Sequence, residues 1–230
     1  MDGHAPPPPA DVGRKFHADG SVRAFPGNTI VCHLPADGPA RTALMRVYDR
    51  LAALPARRHA LLPPSSWHMT IFEGACDQIR DPVRWPADLP LDAPLAACTD
   101  LFAARLRAVR FGITAPIRVA VGGVFAVHGG FLGVTLEPAD PEEHLRLRTL
   151  RDRLSAVLGL RVPVHLGYRF HLTLGYQIDW LTPDEQRAMA EVCGAATAHL
   201  LEAAPVFEFP VPSFCTFDDM HAFPTLFDLA

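Results

Sequence analysis

Two short strings in this sequence share a His-x-Thr motif set between apolar residues. They are Trp67–Ile71 (WHMTI) and Phe170–Leu174 (FHLTL), 103 residues apart. Residues 31–73 align without a gap on residues 134–176, and 12 of the 43 positions are identical, whereas ordinary composition gives roughly two or three by chance. The sequence therefore predicts a duplicated structural unit, each copy of which carries one His and one Thr.

The two copies also share the order of their predicted elements. Each begins with a β-rich run and a Pro-Ala-Asp turn, continues with an amphipathic helix and a loop, and ends on the motif strand. In the first copy these elements are strand 29–34, helix 39–54 and strand 66–73. In the second, a helix follows strand 131–136 and precedes strand 169–177. This pattern predicts an α+β fold in two related lobes, with antiparallel or mixed sheets.

The segments outside the repeat complete this prediction. The pattern indicates helices over about 95–110 and, after an N-cap at Thr182–Glu185, to about residue 201. It also indicates a strand over about 117–127 and short strands within 205–229. Residues 1–13, with their tetraproline, are expected to be a disordered tail, which leaves residues 14–230 as one bilobal domain.

Composition excludes several classes of function. A net charge of −4 and a pI near 6.2 argue against binding along a long nucleic-acid duplex. No stretch approaches the roughly 20 apolar residues of a membrane helix, so no membrane partner is expected. Five cysteines without a C-x-x-C pair are typical of free thiols in a reducing compartment. We therefore expect a cytoplasmic protein, and a monomer.

Strand geometry places the polar residues of each motif on one face. Residues i and i+2 of a strand point the same way, so His68 and Thr70 project together, as do His171 and Thr173. The apolar residues between and beside them face a core, namely Trp67, Met69, Ile71, Phe170, Leu172 and Leu174. Two such copies facing each other would surround one cleft with two imidazoles and two hydroxyls.

Two histidines without a positioned carboxylate suit concerted acid–base catalysis near neutral pH. A neutral imidazole can take a proton from the attacking oxygen, and a protonated one can give a proton to the leaving oxygen. The Thr hydroxyls would hold the non-bridging oxygens of a phosphodiester as negative charge builds up. Such a reaction requires no metal and no cofactor.

Other chemistries fit the motifs less well. A zinc site needs three or four ligands, and His-x-Thr offers one per strand with no Asp, Glu or Cys on the same face. A serine nucleophile is not indicated, because no G-x-S-x-G is present. A non-catalytic module that binds a nucleotide or an RNA end remains the alternative, although binding alone requires donors rather than two proton-transfer groups.

Neighbouring residues provide weaker candidates. Ser66 and Arg169 occupy matched positions of the repeat with the strand parity of the histidines, so both are candidate substrate ligands. His33 is interpreted as a packed structural histidine. Trp67, Tyr168 and Tyr176 have the wrong parity for the cleft and are expected in the core.

The paired motifs resemble those of the 2H phosphoesterase superfamily, which includes 2′-5′ RNA ligases and cyclic phosphodiesterases. The run Lys15–Phe16, Asp19–Gly20 and Phe25–Thr29 is similar to a branch of it known as a domain of unknown function. The resemblance implies two antiparallel sheets with outer helices around a central cleft. It also implies His68 and His171 as the catalytic pair and Thr70 and Thr173 as phosphate ligands.

We therefore expect a metal-independent phosphodiesterase that uses two histidines. Its substrate would be a nucleotide or short oligonucleotide with a cyclic phosphate, such as a 2′,3′-cyclic RNA end, or a short 2′,5′- or 3′,5′-linked phosphodiester. The acidic net charge favours a small substrate over a long RNA.

Overall fold

The computed structural model describes residues 6–54 and 58–229. Within these ranges the chain forms nine strands and four helices. The strands are β1 Gly27–His33, β2 His59–Leu61, β3 His68–Cys76, β4 Ile117–Ala126, β5 Phe131–Pro138, β6 His171–Gln177, β7 Val206–Phe209, β8 Ser213–Phe217 and β9 Thr225–Asp228. The helices are α1 Pro39–Ala52, α2 Leu95–Arg107, α3 Pro141–Leu158 and α4 Pro183–Ala203. The predicted α+β class is confirmed.

The strands form a single antiparallel sheet in the order β7-β4-β5-β6-β3-β1-β8-β9, with β2 added on β6. The sheets expected for the two lobes are thus continuous. They join at the two motif strands, β3 and β6, through one residue pair, Met69 and Leu172. The strands that carry the two His-x-Thr motifs are therefore neighbours at the middle of the sheet.

The helices cover one face of this sheet. Helix α1 packs against α4, and α2 packs against α3. The N-cap predicted for α4 is present at Thr182, which forms a capping box with Glu185. The Asp140 side chain accepts a hydrogen bond from the Glu143 N–H to cap α3. None of the helices in the described ranges is long and apolar enough to cross a membrane.

The main core lies between the helices and the sheet. The apolar residues of both motifs belong to it and are at most 1% exposed, as the strand parity predicts: Trp67, Met69, Ile71, Phe170, Leu172 and Leu174. Their burial leaves His68, Thr70, His171 and Thr173 on the opposite face of the sheet.

A smaller core lies on that opposite face and includes the N-terminal segment, residues 6–26. Phe16, 0% exposed, and Phe25 pack there with Tyr176 and Met220. The Ala10 N–H donates to the Gly129 carbonyl, and the Trp180 indole donates to the Pro7 carbonyl. The expectation of a disordered tail over 1–13 is therefore wrong for residues 6–13, because backbone and apolar contacts hold them in place; residues 1–5 lie outside the described ranges.

One strand boundary and one feature of the repeat alignment differ from the sequence prediction near the motifs. Ser66 ends a 3₁₀ turn, Pro64–Ser66, because the two prolines at 63 and 64 prevent strand pairing there. The gap-free repeat alignment is also displaced by one residue in the first strand of each copy. His33 is paired with His68, whereas Thr135 is paired with His171, so the identical Val31 and Val134 are not structurally equivalent.

Candidate active site

The register of β3 and β6 arranges the two motifs as a square. Met69 lies opposite Leu172 in an antiparallel pair, which sets His68 across from Thr173 and Thr70 across from His171. The two histidines thus lie on one diagonal and the two threonines on the other. All four line one cleft of about 280 Å³, so the central expectation from the sequence about their placement agrees with the structure.

Each motif histidine is held by a backbone carbonyl two residues earlier in the chain. His68 Nδ1 lies 2.7 Å from the Ser66 carbonyl oxygen, and His171 Nδ1 lies 2.9 Å from that of Arg169. A carbonyl only accepts hydrogen bonds, so Nδ1 carries the hydrogen in both rings. In the neutral form Nε2 is then a bare acceptor. The same backbone contact fixes both tautomers for a proton-accepting role.

These contacts correct the roles expected for the side chains of Ser66 and Arg169. Ser66 is 1% exposed, and its hydroxyl donates to the Pro63 carbonyl at 2.8 Å. Arg169 is exposed, and its side chain does not line the cleft. Both residues precede their strands rather than lying in them, so parity does not orient their side chains. What the two positions share is the carbonyl that holds the histidine.

Burial favours the neutral form of both imidazoles. Desolvation lowers the pKa of His68 to about 4, opposed by the hydrogen bond to Ser66 and assisted by His33 and His171. Desolvation also lowers the pKa of His171, with a further lowering from Lys15. An anion bound between them would favour the protonated form of one imidazole. The pair can therefore offer a base and, once a phosphate is bound, an acid.

Equivalent β-bulges follow the two motifs. Ile71 is the extra residue of β3 opposite Ile30 and Val31, and Leu174 is the extra residue of β6 opposite Leu132 and Gly133. A bulge reverses the inside–outside alternation beyond it. It therefore turns Glu73 and Tyr176 into the cleft, although their spacing from the histidines predicts the core.

The carbonyl oxygens of both bulged residues accept hydrogen bonds from groups outside the β1–β3 and β5–β6 pairings. The Leu62 N–H donates to the Leu174 carbonyl at 2.8 Å. The Ile71 carbonyl accepts a hydrogen bond from the guanidinium of Arg151, which is 1% exposed and lies 3.8 Å from the centroid of the Tyr168 ring. Buried carbonyls need such partners, so Arg151 and Leu62 stabilise the backbone shape that places Glu73 and Tyr176.

Other residues complete the cleft wall. Phe223 lines the cleft and packs on the His68 ring with centroids 4.2 Å apart. Phe131 supports the His171 ring from outside the cleft wall, with centroids 5.0 Å apart. Lys15 also lines the cleft. The repeat does not predict this position, because Lys15 comes from the N-terminal segment, which has no counterpart in the second copy. Tyr176 is buried, as expected, but it lies in the smaller core on the cleft face of the sheet rather than in the main core, because of the bulge at Leu174.

The described residues include no group of side chains that could bind a metal ion. Among residues 6–54 and 58–229, no three His, Cys, Asp or Glu side chains are arranged to hold a metal ion. His33 instead contacts the Cys215 thiol at 3.5 Å and the Thr225 hydroxyl at 3.4 Å. His33 lies at the end of β1 and contacts residues of β8 and β9, which fits the structural role predicted for it.

Acid is expected to destabilise the protein through its buried histidines. Desolvation lowers the pKa of His59, like that of His68, from 6.5 to about 4. Between these values the unfolded chain binds protons that the folded chain does not, so the free energy of unfolding falls as the pH is lowered from 6.5 to 4. Each residue contributes at most about 3 kcal/mol. Urea unfolding at pH 7 and pH 4.5 measures this fall.

The His59→Gln variant separates this cause from general acid effects. It removes one titrating group outside the cleft, so it should show a smaller loss between the two pH values than the unchanged protein. An equal loss in both proteins would contradict the assignment of part of the acid sensitivity to His59.

Comparisons with known proteins give the chain its relatives. Residues 15–129 match the family described as 2H-phosphodiest, domain of unknown function (DUF1868). The crystal structure of ATU0111, a conserved protein of unknown function from Agrobacterium tumefaciens str. C58, is 32% identical with a TM-score of 0.90 and covers 98% of this chain and 95% of that one. No curated protein matches the sequence significantly.

Two further structures are more distant. E. coli LigT in its apo form is 11% identical with a TM-score of 0.49, covering 89% of this chain and 96% of that one. Usb1 of Kluyveromyces marxianus is 15% identical with a TM-score of 0.46, covering 89% and 98%. These two likenesses are too remote to support an argument about this chain. The match over residues 15–129 and the near-complete coverage of ATU0111 are sufficient: this chain belongs to the 2H-phosphodiesterase family DUF1868.

Proposed function

We propose that the cleft hydrolyses a cyclic phosphate or a short phosphodiester without a metal, by acid–base catalysis between His68 and His171. The observation that carries this proposal is the square of two bare Nε2 atoms and two Thr hydroxyls, fixed by the register of β3 and β6. Membership of a 2H-phosphodiesterase family supports the reaction class. The expected substrate is a nucleotide or short oligonucleotide with a cyclic phosphate end.

The reaction needs two proton transfers on opposite sides of the phosphorus. One imidazole removes a proton from water through Nε2 as the water oxygen bonds to phosphorus. The other, protonated while the anionic phosphate is bound, gives its proton to the ester oxygen that leaves. The Thr70 and Thr173 hydroxyls donate to the non-bridging oxygens, whose negative charge is greatest in the pentacovalent transition state.

The direct test is product formation from defined substrates. Nucleoside 2′,3′-cyclic phosphates and ADP-ribose 1″,2″-cyclic phosphate are incubated with the protein in EDTA and followed by ³¹P NMR. We expect loss of the cyclic phosphate signal and one monophosphate regioisomer, which identifies the leaving oxygen. Binding of these compounds with no turnover would contradict the proposal and favour the non-catalytic binding module.

The threonines are expected to act mainly on the transition state. Thr70→Val or Thr173→Val keeps the side-chain shape and removes one donor, which should lower kcat by roughly 10²–10³-fold with a small change in KM. The serine variants are the matched controls and should retain most of the activity. Valine variants that raise KM and keep kcat would contradict a role confined to the transition state.

A further inference from the structure

The cleft holds a positive charge that the His-x-Thr motifs do not supply. Among the described residues that line it, two have basic side chains of the lysine or arginine type, Lys15 and Arg84. Arg84 is paired with Asp81 at 2.9 Å, and its side chain is 45% exposed. Lys15 is the only lysine of the chain, and its side chain is 19% exposed. Lys15 is therefore the more enclosed of the two cations.

The backbone of Lys15 is fixed at the cleft by its neighbours. Its N–H donates to the Asp11 carbonyl at 2.9 Å, and its carbonyl accepts from the Arg23 N–H at 2.8 Å. The next residue, Phe16, is fully buried and packs against Tyr176 with ring centroids 5.3 Å apart. The Lys15 ammonium lies over the Tyr176 ring, 4.3 Å from its centroid. Tyr176 belongs to β6, the strand that carries His171.

The present contacts of the ammonium are loose. Its nitrogen lies 3.3 Å from the Tyr176 hydroxyl and 3.4 Å from Asp11 Oδ1. Both distances exceed the roughly 2.7–2.9 Å of a good charged hydrogen bond, and Asp11 Oδ1 is buried without a hydrogen-bond partner. An ammonium has three donors, so Lys15 can give at least one to a ligand oxygen in the cleft.

Charge balance makes a phosphate oxygen the fitting acceptor. Two Thr hydroxyls are neutral, and the two imidazoles together carry at most one proton more than their neutral forms during the reaction. A phosphorane gains negative charge in the transition state, which a nearby fixed cation stabilises strongly in a site shielded from water. Lysine binds phosphate as a point charge without demanding one geometry.

From this placement we infer that Lys15 is a direct ligand of the substrate phosphate, supplied to the His171 side of the cleft by the N-terminal segment. The inference rests on the proposed function, because it assumes that a phosphate occupies the square of the two motifs. It adds a catalytic residue that lies outside the duplicated unit.

Because Lys15 is the only lysine of the chain, its accessibility can be measured by chemical modification. An amine-reactive acylating reagent modifies Lys15 and the α-amino group, and mass spectrometry reports the two rates separately. Adenosine 3′-phosphate at saturating concentration, established by calorimetry on the same protein, should slow the modification of Lys15 several-fold and leave that of the α-amino group unchanged.

Variants give the second readout. Lys15→Met should weaken adenosine 3′-phosphate binding and lower kcat/KM for the cyclic substrate, each by roughly 10- to 100-fold, and Lys15→Arg should recover most of both. Arg14→Met, which removes the same charge from the adjacent exposed position outside the cleft wall, is the matched control and should change them less than twofold.

The outcomes separate the two proposals. If Lys15→Met binds adenosine 3′-phosphate as tightly as the wild type does, the role of Lys15 is overturned and the proposed function stands. The same conclusion follows if bound adenosine 3′-phosphate does not slow the acylation of Lys15. No binding of adenosine 3′-phosphate and no turnover by the wild type would overturn the proposed function, and the role of Lys15 with it.

Discussion

Replacement of either motif histidine by asparagine is expected to lower kcat for the cyclic phosphate substrate by roughly 10²–10⁴-fold. Asparagine can keep a hydrogen bond near the preceding carbonyl but cannot exchange a proton near neutral pH. Because His68 and His171 act in the same step, the double variant should be little slower than either single variant. Steady-state kinetics in EDTA, with calorimetric binding of the monophosphate product, measures both effects.

His33→Asn is the matched control for this experiment. His33 lies beside His68 in the register of β1 and β3, but its ring contacts Cys215 and Thr225. We expect its kcat within a few-fold of the unchanged protein. A loss as large as that of His68→Asn, or full activity in either motif variant, would contradict catalysis by the two motif histidines alone.

Arg151→Met is expected to cause the largest loss of stability, about 3 kcal/mol or more. The substitution leaves the buried Ile71 carbonyl without its donor and takes a cation from the half-buried Glu73, whose pKa is already raised by desolvation and held down by Arg151 and Arg84. An apolar residue of similar length fills the space but supplies neither interaction. The melting temperature should fall by roughly 6–12 °C.

The cause of this loss can be separated with two further variants. Arg50→Met, an exposed arginine on α1, should change the melting temperature little. In a Glu73→Gln background Arg151→Met should cost at least about 1 kcal/mol less, because the carboxylate charge is already gone. Additive effects of the two substitutions would show that Glu73 does not depend on Arg151.

The strand parity of the motifs correctly predicted which face of the sheet each motif side chain occupies. Apolar residues on both sides of each histidine, such as Met69 and Leu172, required a buried face. That requirement placed the His-x-Thr residues on the other face without any knowledge of the sheet order. The helices followed from apolar spacing and from caps such as the one at Thr182, which are local signals that packing does not override here.

The side chains near the cleft whose positions the sequence analysis missed or misplaced have one thing in common. Their positions depend on backbone detail that side-chain periodicity does not encode. The bulges at Ile71 and Leu174 reverse the parity beyond the motifs, so Glu73 and Tyr176 could not be assigned to the cleft from spacing. Ser66 lies in a turn set by prolines. The position of Lys15 depends on the buried Phe16 and on long-range contacts of the N-terminal segment, for which the repeat provides no template.

The central claim is that both motif histidines present a bare Nε2 to one cleft, and ring ¹⁵N chemical shifts of His68 and His171 at pH 7 test it most directly. Assignment rests on the His68→Asn and His171→Asn variants. We expect protonated Nδ1 and unprotonated Nε2 in both rings, as the carbonyls of Ser66 and Arg169 require. A protonated Nε2 with a bare Nδ1 in either ring would contradict the account.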